Sequence, residues 1–133
     1  MVFADSSGLV AAFWPRDPHH QAAIGAWRAL AARRQRILTT DLVFAETVTL
    51  LRRWAGYDAS RQAGEALLRS HNIDVVGLER EALQAAWREF VRSGDPKFSL
   101  CDAMSITVMR ERRAVAAFTF DRHFRDAGLA TIP

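Results

Sequence analysis

Met1-Val-Phe-Ala-Asp-Ser-Ser-Gly-Leu9 opens the chain with a short apolar run that stops on a carboxylate, and two serines follow at once. Val2 to Ala4 has the composition of a short buried strand, and Asp5, Ser6 and Ser7 are residues that open helices. The same succession recurs. Ile37 to Leu38, Ile73 to Val76 and Val115 to Phe118 are short runs rich in β-branched or aromatic residues, with a weaker fifth at Ala130 to Ile132. Between them lie helical stretches. Asp17-Pro18 opens one through Ala32, Gly56 and Gly94 stop those that begin at Asp41 and Glu79, and Asp58 and Ser99 cap two more. Strands alternating with helices wind right-handedly into a parallel sheet covered on both faces, so the fold class is α/β. Helical pairs before Ile37 and between Thr40 and Ser70 break a regular doubly wound repeat.

With 133 residues, half of them apolar, the chain has the size of one domain, taken as residues 1–133. No apolar run approaches the roughly 20 residues that cross a bilayer, and the start lacks the basic segment of a signal peptide, so a cytoplasmic protein is expected. The single cysteine, Cys101, has no partner for an internal disulfide. Net charge is +3, and Lys97 is the only lysine among 18 basic residues. Arginine grips phosphate through two hydrogen bonds, which permits a nucleic-acid partner, although GC-rich coding produces the same bias.

In open parallel sheets, ligands bind beyond the carboxyl ends of the strands. Asp5 and Asp121 follow strands there. Glu46 lies one turn inside the helix after the second strand, and Asp102 lies in the first turn of the helix opened by Ser99. Each has a plain structural use. Asp5, Asp41 and Asp121 suit helix caps, and Ser99-Leu-Cys-Asp102 has the shape of a capping box. Glu46 is different, because in DLVFAETVTLL (41–51) it shares the apolar stripe of Leu42, Val43 and Leu50. A carboxylate there needs an arginine, a cation or an open edge. If the four converge, their repulsion raises pKa values until a divalent cation relieves it. Hard oxygen donors select Mg2+ or Mn2+, and two such ions clamp a phosphodiester while activating water.

Asp5-Ser6-Ser7, TTDLVFAET with Glu46, SLCDAMS with Asp102 and FTFDRHFRDAGL with Asp121 together resemble the PIN-domain ribonucleases, in particular the VapC-type toxins of bacterial toxin–antitoxin pairs. The resemblance covers nearly the whole chain. It implies an α/β/α sandwich around a parallel sheet of four or five strands, and a Mg2+-dependent endoribonuclease, with Mn2+ able to substitute, that cuts tRNA, rRNA or mRNA and halts translation. It further implies a cognate antitoxin whose tail plugs the cleft, a homodimer, and a heterotetramer or larger assembly with the antitoxin. By residue, Asp5 and Asp102 carry over as principal metal ligands, Glu46 as a third acid acting directly or through water, and Asp121 as the fourth. Ser6 and Thr119 match hydroxyl positions that place substrate or a metal-bound water. Cys101 stands where threonine is common.

Other residues offer less. His19 and His20 are adjacent, which suits a solvated first turn. His71 beside Asn72 closes a helix, and His123 either makes a structural hydrogen bond or approaches the site. Arg33, Arg34, Arg36, Arg52, Arg53, Arg110, Arg112 and Arg113 could rim an RNA path. Trp14, Trp27, Trp54 and Trp87 fit core or dimer contacts better than base-stacking faces. The rival function is a non-catalytic acidic pocket, receiver-like or a degenerate nuclease, but a receiver needs a lysine after a later strand, and Lys97 lies in a loop. A haloacid-dehalogenase-like phosphatase needs a second aspartate where Ser7 stands.

Overall fold

Strand hands over to helix through a side-chain oxygen at three joins. Asp5 after β1 (Val2–Ala4) accepts from the Ser7 N–H and opens α1 (Ser6–Phe13). Thr40 ends β2 (Ile37–Thr40) and accepts from Val43 to open α3 (Asp41–Trp54), with α2 (His20–Ala32) lying between α1 and β2. The chain continues through α4 (Tyr57–Arg69), β3 (Ile73–Val76) and α5 (Arg80–Arg92) to α6 (Leu100–Glu111). After β4 (Ala116–Phe118), Asp121 opens α7 (Arg122–Asp126), and β5 (Thr131–Ile132) closes the sheet. These elements come from a computed structural model that describes residues 1–133.

All five strands are parallel, in the order β3-β2-β1-β4-β5. The alternation of strand and helix therefore produces the expected α/β sheet flanked by helices, which pack in the pairs α1 on α2, α3 on α4 and α5 on α6. Phe3, Leu9, Phe118 and Phe124 are fully buried in the main apolar cluster. The order departs from the 2-1-3-4-5 of receiver domains, which removes the receiver-like reading. Strand order reverses between β1 and β4, where Ala4 lies level with Phe118, so Asp5 and Thr119 emerge side by side at the switch point.

Local differences from expectation have simple causes. β2 runs two residues past Leu38, because Thr39 and Thr40 are β-branched and buried with their hydroxyls used: Thr39 donates to the Ala4 carbonyl at 2.8 Å, and Thr40 caps α3. Thr40 therefore takes the N-cap expected of Asp41, which occupies the first turn. Asp17 does not open α2. It accepts from the His19 N–H in a preceding turn, and the helix begins at His20. Asp58 likewise lies inside the first turn of α4, whose cap is Gly56 at φ +96°, a conformation open to glycine at little cost. β4 starts at Ala116 and β5 at Thr131, each one residue later than read, and α4 ends at Arg69, before His71.

Candidate active site

Asp5, Ser6, Glu46, Asp102 and Asp121 line one cleft of about 330 Å³ at the carboxyl edge of the sheet. Segments separated by more than a hundred residues meet here, and none of the four acids is paired with an arginine. Asp5 is 2 % exposed. Its Oδ2 accepts from the hydroxyl of Ser7 at 2.7 Å, from the Ser7 N–H at 3.2 Å and from the Thr119 hydroxyl at 2.9 Å, so one carboxylate oxygen is fully engaged from below. Thr119 is 1 % exposed and lies beneath the cleft rather than on it. Its oxygen also accepts from the Asp121 N–H at 3.0 Å, which ties two of the acids together. Both serines line the cleft, and of the two only Ser7 makes this network, holding Phe120 N–H at 3.0 Å as well.

Asp102 completes the capping box: its Oδ2 accepts from Ser99 N–H at 2.7 Å, and Ser99 Oγ accepts from Asp102 N–H at 3.0 Å. The helix cap thus aims a carboxylate instead of replacing one. Glu46 finds no arginine. The Cys101 thiol donates to its Oε2 at 3.4 Å, and burial together with the charges of Glu46, Asp5 and Asp102 pushes that thiol far up, keeping it protonated.

His123 makes more than one structural contact. Its backbone N–H donates to Asp121 Oδ1 at 2.8 Å, and ring Nδ1 lies 2.7 Å from the same oxygen, near enough for an ion pair but out of line for a hydrogen bond. Nδ1 is also 3.9 Å from Asp102 Oδ2. The other nitrogen, Nε2, lies 3.1 Å from Asp95 Oδ2, and Asp95 also holds Arg122 and the Lys97 N–H. Burial opposes a charge on His123, but the Asp95 hydrogen bond and the Asp121 and Asp102 charges prevail and raise its pKa.

Sequence reasoning missed Asp95, because it stands in Ser-Gly-Asp-Pro and reads as a loop residue. It also missed Lys97, Asp17 and the His19–Phe120 stack, which line the same cleft. His19 is exposed, as a solvated first turn requires, and its ring also lies 4.3 Å from that of Phe120 at 13°. The only hint was the adjacency of Phe120 to Asp121. The arginines, in contrast, are absent from the lining. Arg33, Arg34, Arg36, Arg110, Arg112 and Arg113 lie where helices return to the starts of β2 and β4, at the opposite edge of the sheet.

Burial raises Asp5 from an ordinary 3.8 to about 6, against the hydrogen bonds of Ser7 and Thr119 and with help from the Asp102 charge. Asp102 is raised too, by burial first and then by Asp121, against its Ser99 bonds. Gathered carboxylates with no arginine among them, and with His123 beside Asp121 as their one ion-pair partner, suit a cation. Single donor atoms of Asp102, Asp121 and His123 lie within 4.8 Å of one another, and this set, with Asp5 and Glu46 on the same cleft, fits a hard divalent ion. For the metal-free protein a pH dependence follows. Between 3.8 and about 6 the folded state binds more protons at Asp5 than the unfolded chain does, so stability falls as pH rises through that window. Thermal melts in EDTA should show a gain of about 2 kcal/mol from this group on going from pH 7 to 4, and added Mn2+ should flatten the profile. A melting temperature that drops steadily on acidification from pH 7 would contradict the burial of these acids.

The sequence profile of the PIN domain matches residues 2–129. The chain is similar to the 23S rRNA-specific endonuclease VapC20 of Mycobacterium tuberculosis, in strains CDC 1551 / Oshkosh and ATCC 25618 / H37Rv, at 31% identity over 132 residues, 99% of this chain and 98% of the relative. The crystal structure of Mycobacterium tuberculosis VapC20, described as a Sarcin-Ricin loop cleaving toxin, superposes with a TM-score of 0.88 at 30% identity, covering 98% of this chain and 97% of that one.

Proposed function

Because this chain belongs to the PIN-domain family, we propose that it is a VapC-type endoribonuclease toxin that hydrolyses RNA phosphodiester bonds with Mg2+, for which Mn2+ can substitute. The observation that carries this reading is the convergence of Asp5, Glu46, Asp102 and Asp121 on one cleft without an arginine among them. The cation, when bound, supplies Lewis acidity at phosphate and water. Asp5 and Asp102 are its principal ligands, with Glu46 acting directly or through water and Asp121 as the fourth acid. Ser7 and Thr119 position Asp5 by occupying one of its oxygens, which turns the other to the cleft. Asp95 fixes His123, and His123 in turn positions Asp121. Ser6 and Lys97, both on the lining, face the RNA phosphate.

VapC20's name points to ribosomal RNA as the substrate, ahead of tRNA or mRNA. The partners of this reading are a cognate antitoxin that covers the cleft and a second copy of the chain. Leu83, Trp87 and Val91, exposed at four-residue spacing on α5, supply an apolar stripe for self-association. No helix is long and apolar enough to cross a membrane, and the site of action is the cytoplasm, where translation is inhibited.

Purified protein mixed with intact ribosomes, tRNA and mRNA, with Mg2+, Mn2+ or EDTA, should create one discrete new end in large-subunit rRNA in either metal and none in EDTA. Equal cutting in excess EDTA, or no cutting of any RNA with either metal, would refute the proposal.

A further inference from the structure

Glu46, Leu50 and Trp54 are four residues apart on α3, and all three line the cleft. The helix is thus a rail that starts at a candidate metal ligand and ends, about 12 Å along its axis, at an indole. Trp54 is 49% exposed although it is the largest apolar side chain near the site. It is nonetheless held in place, since its ring stacks on that of Trp14 at 5.7 Å and 27°, and Trp14 is anchored at the end of α1 by a hydrogen bond to Val10. Elsewhere on the lining, the His19–Phe120 pair presents a second aromatic surface, with the Phe120 backbone fixed by Ser7.

We infer that Trp54, backed by Trp14, is the stacking platform for an unpaired base of the RNA adjacent to the scissile phosphate, an inference that rests on the nuclease reading above. The occupant of this cleft must meet two demands at once. It must bring a phosphodiester to the carboxylates and their cation, and a flat apolar face to an indole held within reach of them. Single-stranded RNA does both, because its unstacked bases dock on aromatic rings whatever their hydrogen-bonding edge. Lys97, the one permanent cation on the lining, suits the same polyanion.

The test is a cycle between the indole and the base. The RNA that the native protein cuts is prepared as a series with one abasic position each, and KM and kcat are measured for native protein, Trp54→Ala, Trp54→Phe and Leu68→Ala, the last an exposed apolar residue away from the cleft and from the α5 stripe. One abasic position near the cut should raise the native KM by about 5- to 150-fold. Trp54→Ala should raise the KM for intact RNA by a similar factor, and the same abasic position should then cost nothing more. Trp54→Phe should retain most of the affinity, Leu68→Ala all of it, and Mn2+ affinity by electron paramagnetic resonance should be the same in every variant. A native KM in Trp54→Ala, or independent and multiplying effects of the alanine and every abasic position, would overturn the inference. A native protein that cuts no RNA would sink the nuclease reading instead. Anisotropy of a labelled RNA with native protein and Trp54→Ala still judges the platform in that case, equal binding overturning it.

Discussion

Asp5→Asn is expected to lower RNA cleavage by more than about 100-fold and, at the same time, to raise the melting temperature of the metal-free protein at pH 7. The first effect follows from the place of Asp5. Changing a group that merely supports a metal ligand costs about 10- to 100-fold, so removing the charge of Asp5, proposed above as a principal ligand, should cost more. The second follows from burial. Asp5 is 2 % exposed and its pKa is pushed up to about 6, so its ionised form opposes folding at neutral pH. Asparagine keeps the volume, and its carbonyl still accepts from Ser7 and Thr119, while the charge disappears. A gain of roughly 5 °C is expected. Calorimetry in EDTA and a cleavage time course on the same preparation measure both. Native-level cleavage by Asp5→Asn would remove Asp5 from the ligand set, and a large fall in melting temperature would mean that its charge is compensated in the fold.

The second large effect belongs to a residue without any chemistry. Gly8 stands in the first turns of α1, and a Cβ built there would lie 2.5 Å from the Phe118 carbonyl oxygen and 2.7 Å from a carbon of the Phe118 ring. Neither neighbour has room to yield. The carbonyl already accepts from the Asp5 N–H at 3.1 Å, and the ring is fully buried against Trp27, 5.2 Å between centroids. Gly8→Ala therefore forces α1 away from β4. The expected outcome is a net loss of about 3 kcal/mol, roughly 10 °C in melting temperature, despite alanine's better helix propensity. Metal affinity should fall as well, because Ser7 is the adjacent residue and sets one oxygen of Asp5. Gly25→Ala on α2 is the control: nothing lies within 4 Å of its added Cβ, and about 1 kcal/mol of stabilisation is expected. If both variants melt alike, close approach of α1 to β4 is not what glycine provides at position 8.

The four carboxylates were legible because each carried a local signal. Asp5 ended an apolar run, Asp102 sat in a capping box, Asp121 followed a strand, and Glu46 broke an apolar stripe. For three of them the cap explanation and the site explanation turned out to be compatible. Asp5 accepts from Ser7 N–H, Asp121 from His123 N–H and Asp102 from Ser99 N–H, each using one oxygen on backbone. Local hydrogen bonds aim these side chains, and aiming is what a shared cation site requires. The supporting residues were less visible. Asp95 acts through an imidazole 28 positions away, and Thr119 through a carboxylate 114 positions away, so no spacing rule connects them. The arginine clusters misled because clustering was read without chain direction: Arg33, Arg34, Arg36, Arg112 and Arg113 precede strands, and in a parallel sheet that puts them at the amino edge, opposite the acids.

What the chain determined alone was the alternation of short β-branched runs with capped helices, and hence a parallel α/β sheet with acids at its carboxyl edge, because hydrophobic period and capping act over a few residues. Tertiary structure decided which acids meet, which oxygen of each is spent on backbone, and that Lys97 and Trp54 share their cleft. Those outcomes depend on strand order. Placing β4 beside β1 brings Thr119 against Asp5, and a contact between residues so distant in sequence is set by how the whole sheet assembles.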